Sequence, residues 1–244
     1  MPLMARVLKI IPAYPYVEDR IDTFGSPVKY EDWVKCIDAI VESEQSVDPG
    51  IDMDILVYRM YKLGQKFAVG ADVINQLDNT KIARGTMRCV ELENTDNTGF
   101  KIVAHAVSKF HNDYDYIIFQ EDDISILPTG NGYVKAVVKQ IESVKGCIAF
   151  APIKIKPQLH FGGFFGLVPM NQLYHIIERF PPLKLKTELE IIHWYVKYNR
   201  LAIGDIVEIE GYDNFPSNSG NLGHLYEPLE QFRVKGKQLY RVGI

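Results

Sequence analysis

The sequence predicts an α/β fold in which a mostly parallel central sheet is covered by helices on both faces. Short apolar segments alternate along the chain with amphipathic segments of helical period, which is typical of such three-layer folds. One apolar segment, Tyr116–Gln120, carries apolar side chains on both faces, so we expect a strand buried on both sides. A chain of 244 residues can bury a large core, and we expect a single domain over 1–244.

In the first half, the opening strand is expected to break at Pro12, because Pro12 and Pro15 punctuate the chain there. In the first helix, Trp33, Ile37 and Ile40 recur at helical spacing, and Glu42 and Glu44 are expected on the opposite, polar side. The predicted elements are a strand at 6–11, a helix at 30–43, a strand at 53–58, a short helix or long loop at 62–79, a strand at 87–92, a helix at 100–110 and a strand at 116–120.

The second half continues the alternation. A bend is expected in one strand where Gly162 and Gly163 follow each other. The predicted elements are a helix at 133–144, strands at 147–151 and 161–168, helices at 171–180 and 188–198, a strand at 203–209 and a small hairpin within 231–242.

Composition excludes several classes of protein. The formal net charge of −4 gives no bulk positive field, so we expect no bulk nucleic-acid binding. The three cysteines are far apart and odd in number, which indicates reduced thiols rather than a disulfide framework or a zinc site. No apolar segment is long enough for a transmembrane helix, and no secretory leader is evident. Together these features favour a cytoplasmic protein.

The most informative motif is the acidic triplet Glu121, Asp122 and Asp123, which directly follows the buried strand. Ligands of open α/β sheets bind beyond the carboxyl ends of the strands. Adjacent carboxylates repel one another, and a hard divalent cation such as Mn²⁺ or Mg²⁺ relieves that repulsion. The alternative interpretation is a solvated acidic turn.

Several segments, taken in their order along the chain, resemble the nucleotide-sugar glycosyltransferases of the GT-A fold, whose sheet is Rossmann-like. The residues Leu8-Lys9-Ile10-Ile11-Pro12-Ala13-Tyr14 resemble the opening strand and loop of that family. Asn97-Thr98-Gly99 resembles its Gly-bearing helix start, and Tyr116 to Asp123 resembles the strand that leads to its Asp-X-Asp metal motif. The resemblance implies a nucleotide-binding half at about 1–125 and an acceptor-binding half at about 126–244.

The resemblance also implies roles for individual residues. Pro12, Ala13 and Tyr14, together with Glu121 and Asp122, would contact the nucleotide. Glu121 and Asp123 would bind the metal, and Asp123 is the safer ligand because Glu stands where the family has Asp. His224, in a Gly-rich late segment, would be a third metal ligand, although a lone loop histidine is more often solvated.

The acceptor half carries two further resemblances. Phe161 to Gly166 resembles the acceptor-side strand, where small residues let a sugar approach the backbone, and a strand packed in the core is the equal alternative. Glu188 or Glu190 would be the catalytic base of an inverting enzyme, unless this segment is an ordinary helix start with acidic residues in its first turn. The second strand has no acidic residue at the position where many relatives bind the base.

These features predict a metal-dependent enzyme that moves a sugar from a nucleoside-diphosphate sugar to the hydroxyl of a glycan or another acceptor. One alternative is a non-catalytic nucleotide- or carbohydrate-binding module of the same fold. Another is a sugar nucleotidyltransferase, which is disfavoured because Pro12-Ala13-Tyr14-Pro15 is not a Gly-rich loop. An aspartyl phosphatase is disfavoured because its motif follows an early strand and begins with Asp.

Overall fold

The computed structural model of the protein describes residues 5–16, 29–64, 70–95, 98–122, 124–126, 131–144, 148–155, 158–179, 206–208 and 222–224. The strands are β1 Arg6–Ala13, β2 Asp52–Tyr61, β3 Lys81–Ile82, β4 Gly85–Glu93, β5 Tyr116–Gln120, β6 Ile124–Ile126, β7 Ile148–Ile155, β8 Gln158–Pro169, β9 Ile206–Glu208 and β10 Leu222–His224. The helices are α1 Tyr30–Ser46, α2 Ala71–Asn75, α3 Thr98–Phe110, α4 Tyr133–Val144 and α5 Met170–Arg179.

The main sheet has the strand order β3-β4-β2-β1-β5-β8-β7-β9, and β6 pairs with β10 in a separate two-stranded sheet. Strands β4, β2, β1 and β5 run parallel to one another, as do β7 and β9. Strand β8 is antiparallel to both β5 and β7, and β3 is antiparallel to β4. The predicted α/β class is therefore confirmed, but the sheet is mixed rather than mostly parallel.

Helices cover both faces of the sheet, as the sequence predicts. Along β1, Val7 and Ile11 face a core that contains apolar side chains of α1 and α4. Leu8 and Ile10, the alternate residues, face a second core that contains side chains of α3 and α5. Every residue of β1 after Arg6 is buried, because a central parallel strand is covered on both sides.

Most predicted elements are confirmed, with boundaries that shift by a few residues. The segment 62–79 contains the short helix α2 rather than only a loop. Strand β1 does not break at Pro12 but continues through Ala13, so that prediction is wrong. The predicted helix at 188–198 and the hairpin within 231–242 lie outside the described residues.

The helix α1 extends to Ser46, and Glu44 is not on its polar side as expected but is buried. Its carboxylate accepts a hydrogen bond from the ammonium of Lys9, a fully buried residue of β1. The same ammonium donates to the hydroxyl of Tyr133 on α4 at 2.6 Å. Burial lowers the pKa of Lys9, while the charge of Glu44 and its hydrogen bond oppose that shift. An ionised side chain in a core without water is stable only when it is paired and hydrogen-bonded. These two hydrogen bonds of Lys9 therefore hold α1 and α4 against β1.

Within the part of the chain that the structure describes, no helix combines the length and the apolar character needed to cross a membrane.

We expect Lys9→Met to lower the free energy of unfolding by about 3 kcal/mol, because it leaves the Glu44 carboxylate buried without its cation. Replacing both residues, as Lys9→Met with Glu44→Leu, should recover much of that loss, since apolar pairs often substitute for buried ion pairs. Urea denaturation of the three proteins measures the difference. The control is Lys35→Met: its ion pair with Asp32 lies on the exposed face of α1 and should contribute at most about 0.5 kcal/mol. Equal effects at Lys9 and Lys35 would contradict the prediction.

Candidate functional site

The neighbouring strands β1 and β5 separate at their carboxyl ends. Their pairing runs from Val7 opposite Tyr116 to Ile10 opposite Phe119. Beyond this point β1 continues beside β2, and the last residue of β5, Gln120, pairs with β8. The strand order also reverses here, since β2 and β4 lie on one side of β1 and β5 on the other. Open α/β sheets bind ligands at such a point, and we call the region beyond the carboxyl ends of β1 and β5 the switch-point crevice.

Pro12 and Ala13, which were expected in the loop after the first strand, are buried residues of β1. Proline is disfavoured in central strands because it has no N–H to donate. Pro12 is tolerated because β1 here has β2 as its partner and has already separated from β5. The loop that borders the switch-point crevice therefore begins at Tyr14.

The carboxylate of Asp122 lies just beyond the end of β5 and bonds to two other segments of the chain. One of its oxygens, Oδ2, accepts a hydrogen bond from the backbone N–H of Tyr14 at 2.9 Å and another from Nε1 of Trp33 at 2.9 Å. Asp122 is 3% exposed, and Trp33, in the first turn of α1, is fully buried. Asp122 thus joins the end of β5 to the loop after β1 and to α1. The sequence singled out Asp122 as a nucleotide contact, but its observed partners are groups of the protein.

The structure describes only one of the two other acids of the triplet. Glu121 is partly exposed, and Asp123 lies outside the described residues. Strand β10 is antiparallel to β6, and its register places His224 opposite Ile124, the residue after Asp123. The backbone thus brings two predicted ligand segments together across about one hundred residues of chain. Among the described residues, no group of three His, Cys, Asp or Glu side chains could hold a metal ion.

The predicted bases, Glu188 and Glu190, lie outside the described residues. The strand that carries Gly162 and Gly163 is β8, next to β5. Strand β8 pairs with β7 both before and after residue 151 of β7, but the register shifts between Phe150 and Pro152. The two glycines fall within this irregular stretch, which agrees with the predicted bend. Because Gln120 pairs with Phe165 in an antiparallel register, the glycines lie beyond the carboxyl end of β5, at the same end of the sheet as the switch-point crevice but on the other side of β5.

Sequence reasoning missed a carboxylate near the end of β2. Arg59 of β2 is fully buried and lies in register with Glu91 of β4, whose Oε1 is 2.5 Å from its guanidinium. A basic residue within an apolar strand indicates a buried cation that needs an acid. The sequence alone does not tell which acid, because the partner comes from another strand.

Two tyrosines and a lysine border the same end of the sheet. The rings of Tyr14 and Tyr16 have their centres 5.4 Å apart, and Tyr16 is buried. Nζ of Lys62, the residue after β2, lies 4.7 Å from the centre of the Tyr16 ring. These contacts order the loop after β1.

Gly70 packs against the same loop. Its φ of 72° is left-handed, and an added Cβ would lie 2.7 Å from Cβ of Pro15 and 3.0 Å from Cη2 of Trp33. Glycine is required here for both conformation and space. Nearby, burial and then the charge of Asp72 raise the pKa of Tyr30, while a backbone hydrogen bond with Gly70 opposes them.

Asp122→Ala should lower the free energy of unfolding by about 3 kcal/mol, because it leaves two buried N–H donors unsatisfied. Asp122→Asn keeps an oxygen that can accept from Tyr14 and Trp33, and should lose clearly less. In a double-mutant cycle with Trp33→Phe, we expect a coupling of about 1 to 2 kcal/mol. Chemical denaturation provides these values, and additive effects of the two substitutions would contradict the hydrogen bond.

Gly70→Ala should destabilise the protein by about 3 kcal/mol, the sum of left-handed strain and steric overlap with Pro15 and Trp33. Gly64→Ala is the matched control, because Gly64 has a φ of 75° and no neighbour within 4 Å of an added Cβ. Gly64→Ala should lower the free energy of unfolding by only about 1 kcal/mol, through left-handed strain alone. Thermal unfolding of both variants tests this, and equal losses would show that space around Gly70 is not limiting.

The sequence matches no known family model and no curated protein.

Proposed function

We propose that the protein is a divalent-metal-dependent glycosyltransferase with a GT-A-like fold, which transfers a sugar from a nucleoside-diphosphate sugar to an acceptor hydroxyl. The observation that carries this proposal is the position of the acidic triplet. It follows β5 at the switch-point crevice, and Asp122 binds it to the loop after β1. This is the place where an open α/β sheet holds its ligand.

The arrangement of the other segments supports the same proposal. The resemblance assigns roles to the loop after the first strand, the acidic triplet, the Gly-bearing strand and the segment of His224. The loop after β1 meets the end of β5 through the contact between Tyr14 and Asp122, and the Gly-bearing strand β8 lies next to β5. The segment of His224 pairs with β6, directly after Asp123. Segments that are far apart in sequence thus border one end of the sheet.

The carboxylates of the acidic triplet are the ligand type that a hard divalent cation prefers. Glu121 and Asp123 are the carboxylates that, by the resemblance, would hold the metal, while Oδ2 of Asp122 accepts two hydrogen bonds within the protein. His224 would add a neutral nitrogen ligand, which favours Mn²⁺ over Mg²⁺. When bound, the metal supplies positive charge that stabilises the diphosphate leaving group.

The chain itself contributes positioning and proton transfer. The backbone of Tyr14 is fixed by Asp122, which preorganises the nucleotide loop before the donor arrives. The acceptor would approach the backbone at Gly162 and Gly163, which fall where the pairing of β7 and β8 shifts in register. On an inverting route, Glu188 or Glu190 accepts the proton of the acceptor hydroxyl.

Calorimetric titration with UDP, GDP, ADP and CDP, each with and without Mn²⁺, tests the nucleotide site. We expect Mn²⁺-dependent binding of at least one of them, and Asp123→Asn should weaken it by about tenfold or more. The control is Asp113→Asn, since Asp113 is exposed and precedes the amino end of β5. Absence of binding to every nucleotide, or full affinity in Asp123→Asn, would contradict the proposal.

A donor-hydrolysis assay separates the enzyme from a binding module. Release of nucleoside diphosphate from a nucleotide sugar that binds, lost in Asp123→Asn, supports the enzyme. Tight binding of nucleotide sugars without hydrolysis or transfer to any acceptor supports the non-catalytic alternative.

A further inference from the structure

Ser43 occupies a position of α1 where the helical period would place an apolar residue. It lies between the core residues Ile40 and Val47, at spacings of three and four, and is 7% exposed. Serine is mostly exposed in folded proteins, and a buried hydroxyl needs hydrogen-bond partners. The hydroxyl of Ser43 donates to the carbonyl oxygen of Ile40 at 2.8 Å and accepts from the backbone N–H of Ile126 at 3.4 Å. The second of these contacts leaves α1 and reaches β6.

Another contact joins α1 to the chain around the acidic triplet. In the first turn of the helix, Nε1 of Trp33 donates to Oδ2 of Asp122 at 2.9 Å. At the other end, the side chain of Ile126 packs in the same core as the apolar side chains of α1. Asp123 directly follows Asp122 and directly precedes β6. Helix α1 therefore holds the chain both before and after this acid.

The lengths of the two segments agree with this arrangement. Ten residues separate Trp33 from Ser43, which corresponds to about 15 Å along a helix. Four residues separate Asp122 from Ile126, and an extended chain of that length reaches about 13 Å. The two contacts with α1 thus leave the chain little slack, and the loss of either one frees it to shift.

The position of β6 also affects the position of β10. These two strands form the separate two-stranded sheet, and His224 stands opposite Ile124 in their register. A displacement of β6 therefore moves the backbone of both segments that carry proposed metal ligands, Asp123 before β6 and His224 in β10. Groups that orient metal ligands without touching the metal typically contribute about ten- to a hundredfold to its affinity.

We infer that Ser43 is a positioning residue of the proposed metal site. Its hydroxyl fastens β6 to the last turn of α1, and through β6 it sets the position of the segments that carry Asp123 and His224. This inference rests on the proposed function. Ser43 acts through β6 and is not itself a ligand of the cation.

The test compares Ser43→Ala with the wild-type protein in two measurements. Hydrogen exchange of the Ile126 amide, followed by NMR, should be about tenfold faster in the variant, because the amide loses its acceptor. Titration with Mn²⁺, followed by the EPR signal of the free ion, reports the metal site. It is done with Mn²⁺ alone and with whichever of UDP, GDP, ADP and CDP binds the wild type. We expect Ser43→Ala to bind Mn²⁺ about tenfold more weakly.

Two controls separate positioning from general stability. Ser46→Ala removes a hydroxyl from the same turn, but Ser46 is exposed and its hydroxyl donates to the carbonyl oxygen of Glu42 at 2.7 Å. Ile37→Val shortens a buried side chain of the same helix and weakens the core without removing the hydroxyl of Ser43. Both variants should keep the wild-type affinity for Mn²⁺. Thermal unfolding verifies that every protein is folded at the temperature of the titrations.

Each other outcome has a definite meaning. Wild-type Mn²⁺ affinity in Ser43→Ala overturns the inference, even with faster exchange at Ile126, and leaves the proposed function standing. Unchanged exchange at Ile126 also overturns it, since the hydroxyl would then not hold β6. An equal loss of affinity in Ile37→Val overturns it as well, because stability alone would explain the loss. If the wild type binds no Mn²⁺ in either condition, the inference and the proposed function fail together.

Discussion

The architecture of the candidate site depends on one buried carboxylate oxygen. Oδ2 of Asp122 satisfies two donors that belong to different elements, the backbone of Tyr14 and the indole of Trp33. A carboxylate in a dry environment is stable only when hydrogen bonds or charge replace its lost hydration. Loss of the Asp122 carboxylate therefore destabilises the positions of both donors. This links the position of α1 and of the loop after β1 to the end of β5, from which the remaining acids of the triplet extend.

Buried cations constrain the parallel half of the sheet in the same way. Lys9 in β1 takes its carboxylate from Glu44 on α1, and Arg59 in β2 takes its carboxylate from Glu91 in β4. A shift of β1 or β2 by one residue would turn the cation to the other face and leave an acid unpaired. Each pair thus selects one register among several that the apolar side chains alone would accept. Ordered registers matter here because the crevice exists only where β1 and β5 end in the observed stagger.

Much of the fold can be predicted from the sequence, because the spacing of apolar residues indicates which side chains are buried. Tyr116–Gln120 and Tyr133–Val144 were predicted with their observed bounds, since apolar spacing changes sharply at their ends. The prediction for Glu44 is wrong because it follows the charge of the side chain rather than its position in the helical period. Trp33, Ile37, Ile40 and Glu44 follow one another at spacings of four, three and four, so Glu44 continues the apolar stripe. Read with the lysine inside β1, this spacing could have identified the pair. The contacts of Asp122 with Tyr14 and Trp33 could not have been found this way, because they join elements about 90 to 110 residues apart.

The acidic triplet divides into two chemical roles for a physical reason. Three ionised carboxylates in sequence repel one another unless some are compensated internally. Two N–H donors of the protein already compensate Oδ2 of Asp122 in its buried position. In the proposed function, the residues on either side, Glu121 and Asp123, are the ones that hold the cation. The middle acid therefore organises the loop after β1, and the proposed role in metal binding falls to the outer acids.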